Sequence, residues 1–233
     1  MTNQTTRLSR FFTTAGVLVS AFIAFSALNA QAASLQVTVL DKEGKPLPDA
    51  VVVVTPVARG AAKTLPPMQA TINQEKMQFV PAVTVVGLGA RVRFVNNDAW
   101  DHHVRLSPPG LSATGTPGAG DGVALRLEGK SDGKPAKFAD VLVDKPGALG
   151  ANVLGCFIHG SMSGHVYVAE SPWTVKTGAD GTVSLDDLPD GAATVQVWHA
   201  LLTVAPKLQA TTLGAVPGKL STQLDVLPRR RRS

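Results

Sequence analysis

The residues best suited to chemistry lie in one short segment, residues 155–162, with the sequence GCFIHGSM. Cys156, His159 and Met162 place a thiol, an imidazole and a thioether at three-residue intervals in a predicted loop between two strands. Copper cycles between two oxidation states and favours this mixture, because thiolate and thioether suit the reduced ion and imidazole suits both. Zinc fits less well, since thioether is not among its usual ligands and a structural zinc site would need further Cys or His residues. The segment therefore predicts a copper site.

Cys156 is the only cysteine of the chain, so an intramolecular disulfide is impossible. A single thiol in an oxidising compartment pairs with another chain, stays inert in the core, or binds a metal. An inert buried thiol is the commonest fate of a free cysteine. The nearby His159 and Met162 favour the metal-ligand interpretation.

A blue-copper plane needs a second imidazole, which must come from another part of the chain. His102 and His103 follow directly after a predicted strand and its connecting loop. Successive side chains of a strand point to opposite faces, so only one of the two enters a site easily, although this alternation does not say which. His165 and His199 are expected to be structural.

Several segments around these residues occur in an order that resembles the cupredoxin family of type I copper proteins. They are residues 79–81, residues 89–96, the His-x-Val of residues 102–104, the Cys-x-x-His-x-x-Met of residues 156–162, and residues 164–168. The short ligand loop is similar to that of the amicyanin and plastocyanin-like proteins of the kind associated with methylamine utilisation. The resemblance covers residues 72–169 and implies a Greek-key β-sandwich. It also implies one type I copper held by His102, Cys156, His159 and Met162, with His103 on the opposite face.

The flanks of this region resemble a second small β-sandwich. Residues 37–54, with the turn sequence GKPLPDA, are similar to the start of a carboxypeptidase regulatory-like, or transthyretin-like, sandwich, and residues 180–198 look like its continuation. Two independent hairpins packed on the copper domain would give the same pattern. The predicted organisation is residues 33–58 and 170–228 as the two parts of this sandwich, residues 72–169 as the copper domain, and residues 229–233 as a basic tail.

The fold class predicted from the residues is all-β. Short runs rich in β-branched residues alternate with turn residues, and no useful length of the chain has helical periodicity. Residues 107–122 are rich in Pro, Gly, Ser and Thr and predict a surface excursion.

The N-terminus, residues 1–32, is typical of an export signal. Arg7 and Arg10 precede an apolar stretch at residues 15–28, which is shorter than the ~20 residues that a spanning helix needs, and a small-residue cleavage pattern follows. Six of the 22 basic residues are these two arginines and residues 229–232, so the remaining body, with 17 acidic residues, is close to neutral. Nucleic-acid binding is therefore a poor interpretation, because it needs a basic face.

The expected function is periplasmic electron transfer by one type I copper, with a redox partner such as a c-type cytochrome or a periplasmic oxidoreductase. Four protein ligands leave no open coordination position for a substrate, so we expect no enzyme activity. A multicopper oxidase or nitrite reductase would also need His-x-His pairs, which the chain lacks. The alternatives are copper delivery or sensing, or a structural β-sandwich without redox turnover.

Overall fold

The structure is a computed structural model that describes residues 32–107 and 122–228. These residues form β-strands and one short 3-10 helix at Ala148–Gly150. The strands are β1 (Ala33–Leu40), β2 (Val51–Pro56), β3 (Gln69–Glu75), β4 (Gln78–Val80), β5 (Val83–Gly87), β6 (Ala90–Asn96), β7 (His102–Ser107), β8 (Val123–Leu127), β9 (Lys137–Val143), β10 (Ala151–Cys156), β11 (Ser163–Ala169), β12 (Trp173–Lys176), β13 (Thr182–Leu188), β14 (Gly191–Trp198), β15 (Leu208–Leu213) and β16 (Gly218–Gln223). The predicted all-β class is confirmed.

The central segment folds into one β-sandwich. One sheet has the strand order β5-β11-β10-β7-β8 and the other has the order β4-β3-β6-β9. In β6, Val92 and Phe94 point into the core while Arg91 and Arg93 point to solvent, as period-2 alternation requires. The β11–β5 and β3–β6 pairs are parallel, and the other strand pairs of this sandwich are antiparallel.

The two flanking segments join to form a second sandwich, as predicted. Its sheets have the orders β13-β1-β16 and β12-β2-β14-β15. The N-terminal strand β1 lies between two C-terminal strands, antiparallel to β13 and parallel to β16. Its core includes Leu35, Val37 and Val39 from β1 and Val195 and Val197 from β14. The first 24 residues of the described chain and its C-terminal third therefore share one core.

The two sandwiches pack against each other through the outer face of β2. This strand is a run of four buried valines, of which Val52 and Val54 face the flanking sandwich core while Val51 and Val53 face the central sandwich. Burial on both faces explains why the strand is continuously apolar. The buried residues of this interface are Val51, Val53, Val83, Ala151, Tyr167 and Trp198.

Three predictions concern segments outside the described residues, which are the export signal over most of residues 1–32, the basic tail, and most of the 107–122 excursion. Among the described residues, no helix is long and apolar enough to cross a membrane.

Candidate metal centre

Two neighbouring strands and one loop position the site. His102 begins β7 and Cys156 ends β10, and the antiparallel register of these strands places Cys156 opposite Val104. His102 and Val104 are both buried and share the inner face of β7, so the imidazole lies on the same side as the thiol.

The ligand loop between β10 and β11 is held by two backbone hydrogen bonds. The N–H of Phe157 donates to the carbonyl of His103 at 3.0 Å, and the N–H of Met162 donates to the carbonyl of His159 at 2.9 Å. The second bond closes a tight turn that directs the His159 ring back toward Cys156. The turn residues Gly160 and Ser161 permit this conformation.

Three ligand atoms converge at this position. Nδ1 of His102 lies 3.8 Å from Sγ of Cys156, Nδ1 of His159 lies 3.7 Å from the same sulfur, and the two Nδ1 atoms are 3.1 Å apart. A point equidistant from the three atoms is about 2 Å from each, close to the lengths of the bonds that a first-row metal makes with imidazole, about 2.0–2.1 Å, and with thiolate, about 2.3 Å. The spacing of the three donor atoms therefore fits a first-row metal ion.

The tautomer of His102 suits metal binding. Its Nε2 lies 2.9 Å from Oδ2 of Asp98, in a pair that is almost fully buried. A carboxylate at this distance keeps the proton on Nε2, so the lone pair of Nδ1 faces Cys156 and His159. Asp98 thus acts as the outer carboxylate that orients a ligating histidine.

Asp98 is itself held by the turn between β3 and β4. The backbone N–H groups of Lys76 and Met77 donate to its two oxygens at 2.6 and 3.0 Å. Both donors have left-handed backbone conformations, with φ of 52° and 57°, which aim successive N–H groups at one acceptor. Burial alone would raise the pKa of Asp98, but the hydrogen bonds from Met77, His102 and Lys76 outweigh it and hold this pKa below its usual value.

Asn96 fixes the segment that connects β6 to His102. Its Nδ2 lies 2.8 Å from the carbonyl oxygen of Trp100 and 3.1 and 3.0 Å from those of Leu127 and Glu128. Its Oδ1 accepts from the N–H of Asp98 at 3.0 Å. Sequence reasoning missed the roles of Asn96 and Asp98, although their place just before the histidine pair is the signal that could have indicated them.

Met162, the fourth predicted ligand, is buried at the end of the loop in the same apolar cluster as Cys156 and Leu154. The structure thus places its side chain in the core beside the site. The converging group of nitrogen and sulfur atoms described above consists of His102, Cys156 and His159.

The remaining histidines lie elsewhere. His103 is half-buried on the outer face of β7. His165 and His199 lie at the interface of the two sandwiches, where the His165 ring packs edge-on against Trp198 at 5.3 Å. Burial lowers the pKa of both, and for His165 the neighbouring His199 lowers the pKa further.

The three converging residues differ in their exposure to solvent. His102 and Cys156 are buried, whereas His159 is half-buried. The side chains of Phe157, Ile158 and Trp100 are 60%, 51% and 46% exposed, and Arg105 stacks over the Phe157 ring at 5.3 Å. Apolar side chains thus lie exposed in the two segments that carry His159 and His102.

Comparisons with known proteins give partial structural likenesses. A copper-containing nitrite reductase from Thermus scotoductus SA-01 is 26% identical over 49% of this chain and 25% of its own, with a TM-score of 0.34. An amicyanin from Paracoccus versutus is 19% identical over 50% of this chain and 96% of its own, with a TM-score of 0.32. A purple cupredoxin from Nitrosopumilus maritimus is 15% identical over 43% of this chain and 99% of its own, with a TM-score of 0.29.

No protein-family model matches the chain, and no curated protein matches it. The nitrite reductase alignment spans only a quarter of that enzyme. The function is therefore inferred from the chemistry of the site and not from these likenesses.

Proposed function

We propose that this protein is a mononuclear type I copper protein of the cupredoxin type that transfers electrons in the periplasm. The observation that carries the proposal is the convergence of two imidazole nitrogens and one thiol sulfur about a point some 2 Å from each. His102, Cys156 and His159 would hold the ion, and the thioether of Met162 would be the fourth ligand.

The donor set favours copper over zinc. Two imidazoles, one thiolate and a thioether suit copper, whereas a structural zinc site usually has four Cys and His ligands. The described residues place only one Cys and two His at the centre. Bound copper would supply a one-electron couple at the site.

The fold would hold the metal ligands in fixed positions. His102 and Cys156 sit on paired strands, and Asp98 fixes the His102 ring through its contact with Nε2. Ligands that cannot move keep the same arrangement in both oxidation states, which lowers the cost of moving an electron. Four protein ligands also leave no position for a substrate, which supports a carrier rather than an enzyme.

The exposed apolar residues mark where a partner would dock. Electrons would pass through the half-buried His159, whose neighbours Phe157 and Ile158 are exposed. An interface with apolar and aromatic side chains at its centre suits a redox protein, such as a c-type cytochrome or a periplasmic oxidoreductase. Export is supported by the signal pattern of residues 1–32.

The first experiment is an optical spectrum of the protein from residue 33 onward after loading with Cu(II). An intense thiolate-to-copper band in the visible range is expected, and a Cys156→Ala variant should lack it. The loaded protein should then be reduced and reoxidised repeatedly by a small redox dye. A wild-type protein without the band would overturn the ligand assignment.

Copper delivery or sensing is the competing function, and exchange kinetics separate it from electron transfer. Because His102 and Cys156 are buried, we expect slow loss of copper to a strong chelator. Rapid exchange together with failure of reversible reduction would favour delivery.

A further inference from the structure

A cavity of about 450 Å³ lies at one edge of the flanking sandwich. It is lined by β12, by β13 and by residues 62–67 of the connector between β2 and β3, and these three segments together are called the edge groove. β12 and β13 are the outermost strands of the two sheets, and each has a partner strand on one side only. Such strands leave alternate backbone N–H and C=O groups unpaired and available to a further extended segment.

The floor of the edge groove is apolar and carries one unpaired donor. Trp173 and Leu185 belong to the core of the flanking sandwich, Val175 packs against it, and all three line the cavity. The Trp173 side chain is buried, and its Nε1–H has no hydrogen-bond partner among the described residues. A buried indole N–H normally has an acceptor, because leaving it unpaired is costly. An occupant with a carbonyl oxygen would supply one.

Two adjacent aspartates, Asp186 and Asp187, line the same cavity. Neighbouring residues of a regular strand point to opposite faces. β13 is irregular here, because its pairing with β1 shifts register between Ala33 and Leu35, and Asp187 has a φ of 59°. A bulge of this kind adds one residue to a strand and redirects its side chains, which explains how both aspartates reach the groove.

The charge of these aspartates is only partly balanced. The ammonium of Lys63 forms an ion pair with Asp187. Asp186 is exposed and forms no hydrogen bond or ion pair with any other described residue. One carboxylate at the groove is therefore left without a paired cation, which favours an occupant that carries a Lys or Arg side chain.

The connector shows what kind of segment this edge accepts. Among the described residues, residues 58–66 form no backbone hydrogen bond with the rest of the chain. They are held by the Lys63 ion pair, by packing of Ala62 on the flanking core, and by a close approach in which a Cβ built on Gly60 would lie 2.4 Å from Cγ of Pro189. A proline-containing segment with one cation thus already crosses the edge. The cavity beside it is within the usual size of a ligand site, about 300–1,000 Å³.

The edge groove is remote from the ligand loop. The carbonyl of Pro67, at the end of the connector, accepts the N–H of Gly87 at 2.9 Å. Gly87 pairs with Ala169, which is the end of β11 farthest from the loop that carries His159. An occupant of the groove would therefore leave His159 uncovered.

We propose that the edge groove binds an extended basic segment of a partner protein. A backbone carbonyl of that segment accepts the Nε1–H of Trp173, a Lys or Arg side chain pairs with Asp186, and an apolar side chain packs on Leu185. The site does not depend on the proposed copper centre. It makes the flanking sandwich a recruitment module that keeps a partner beside the protein while the His159 side stays free.

The test uses a capped hexapeptide of alternating Val and Lys, titrated into the ¹⁵N-labelled protein up to millimolar concentration. The chain has three tryptophans, so the indole N–H resonance of Trp173 reports on the groove, and those of Trp100 and Trp198 are internal controls. We expect the Trp173 resonance to move downfield, because its N–H gains an acceptor, and the other two to stay in place. A hexapeptide of alternating Val and Glu should move none of them.

Two variants assign the contacts, with affinities measured by calorimetry. Trp173→Phe keeps an aromatic ring without the donor and should weaken binding roughly 2–10-fold. Asp186→Asn changes an exposed side chain, which preserves the fold, and should weaken binding roughly 2–5-fold. The matched control is Asp225→Asn, at an exposed aspartate of the same sandwich outside the cavity, which should bind as the wild type does.

Three results would overturn the proposal. They are a Trp173 resonance that does not move, equal responses to the Lys and Glu peptides, and wild-type affinity in both groove variants. None of these measurements requires copper, so they are independent of the optical spectrum that tests the metal site.

Discussion

Nε2 of His102 and Oδ2 of Asp98 lie 2.9 Å apart in a pair that is almost fully withdrawn from solvent. The carboxylate also accepts the N–H groups of Lys76 and Met77, so one side chain joins the β3–β4 turn to the metal-site histidine. The orientation of His102 therefore depends on a hairpin that contributes no ligand.

Replacing Asp98 should impair both folding and metal binding. Asp98→Ala leaves two backbone donors and one imidazole without partners, and we expect a loss of about 2–4 kcal/mol in the free energy of unfolding. Asp98→Asn should cost less stability but weaken copper binding roughly 10–100-fold, because a neutral amide oxygen facing Nε2–H is a weaker acceptor than a carboxylate and so holds the His102 tautomer and ring less firmly. Denaturant unfolding and competitive copper titration measure the two effects. Wild-type copper affinity in Asp98→Asn would contradict the tautomer argument.

Replacing His102 and replacing the adjacent His103 should have different effects on the copper site. His102→Ala removes a nitrogen that lies 3.8 Å from the Cys156 sulfur, so we expect it to abolish the visible band. His103→Ala alters the outer face of β7 and should preserve one copper per chain with an unchanged band. Metal analysis and absorption spectra of the two variants check this. Loss of the band in His103→Ala would reverse the assignment.

Met162 can be tested by a change that conserves its volume. Met162→Leu should keep the packing of its buried position, at a cost below about 1.5 kcal/mol. If the thioether is a ligand, its removal destabilises the oxidised ion more than the reduced ion, which tolerates fewer donors, so the reduction potential should rise. A potential equal to that of the wild type would assign Met162 to the core alone.

The buried His199 and the half-buried His165 should make the metal-free protein sensitive to acid. Burial lowers the pKa of His199 and of His165 from the ordinary 6.5, and His199 lowers that of His165 further. Below about pH 6.5 these two histidines therefore bind protons more readily in the unfolded chain than in the folded one. The free energy of unfolding should consequently fall as the pH decreases toward the pKa values of the two histidines in the folded protein.

The hydrogen bonds of His199 provide the matching variant. The ring bonds to the carbonyl of Pro48 and accepts the N–H of Leu201 at Nδ1, 3.2 Å away, which is a pattern that only the neutral form can satisfy. A glutamine can make both bonds and does not titrate. His199→Gln should therefore reduce the fall in the free energy of unfolding between pH 7 and pH 5, as measured by denaturant unfolding. If the free energy of the variant falls as steeply with pH as that of the wild type, His199 is not the source of the acid sensitivity.

The interface of the two sandwiches should couple their unfolding. Trp198 is buried there between Tyr167, at 5.4 Å between ring centroids, and His165. Trp198→Ala should cost about 3–5 kcal/mol and separate one thermal transition into two. Val216→Ala, at a position 82% exposed, is the control and should change stability by less than about 0.5 kcal/mol. A single transition in Trp198→Ala would show that the sandwiches are coupled by other contacts.

Parts of the fold were missed for identifiable reasons. β3 carries Gln69, Asn73 and Gln74, and β16 has Leu220 as its one large apolar residue, so neither has the apolar content by which strands are recognised. β3 is a strand because it pairs with β4 and β6, and β16 because it pairs with β1. These long-range partners override weak local preference.

The sequence by itself determined the all-β class and the spacing of Cys156, His159 and Met162, whereas it left the flanks as either two halves of one sandwich or two independent hairpins. Alternation, turn residues and ligand spacing are local properties that need no partner strand. Only the tertiary structure decided that His102 rather than His103 faces Cys156, because the register of β7 on β10 selects the face. The tertiary structure alone also brought Asp98 to the turn at Lys76 and Met77. That contact joins positions about twenty residues apart in the sequence, and it forms only when the strands around them pair in the correct register.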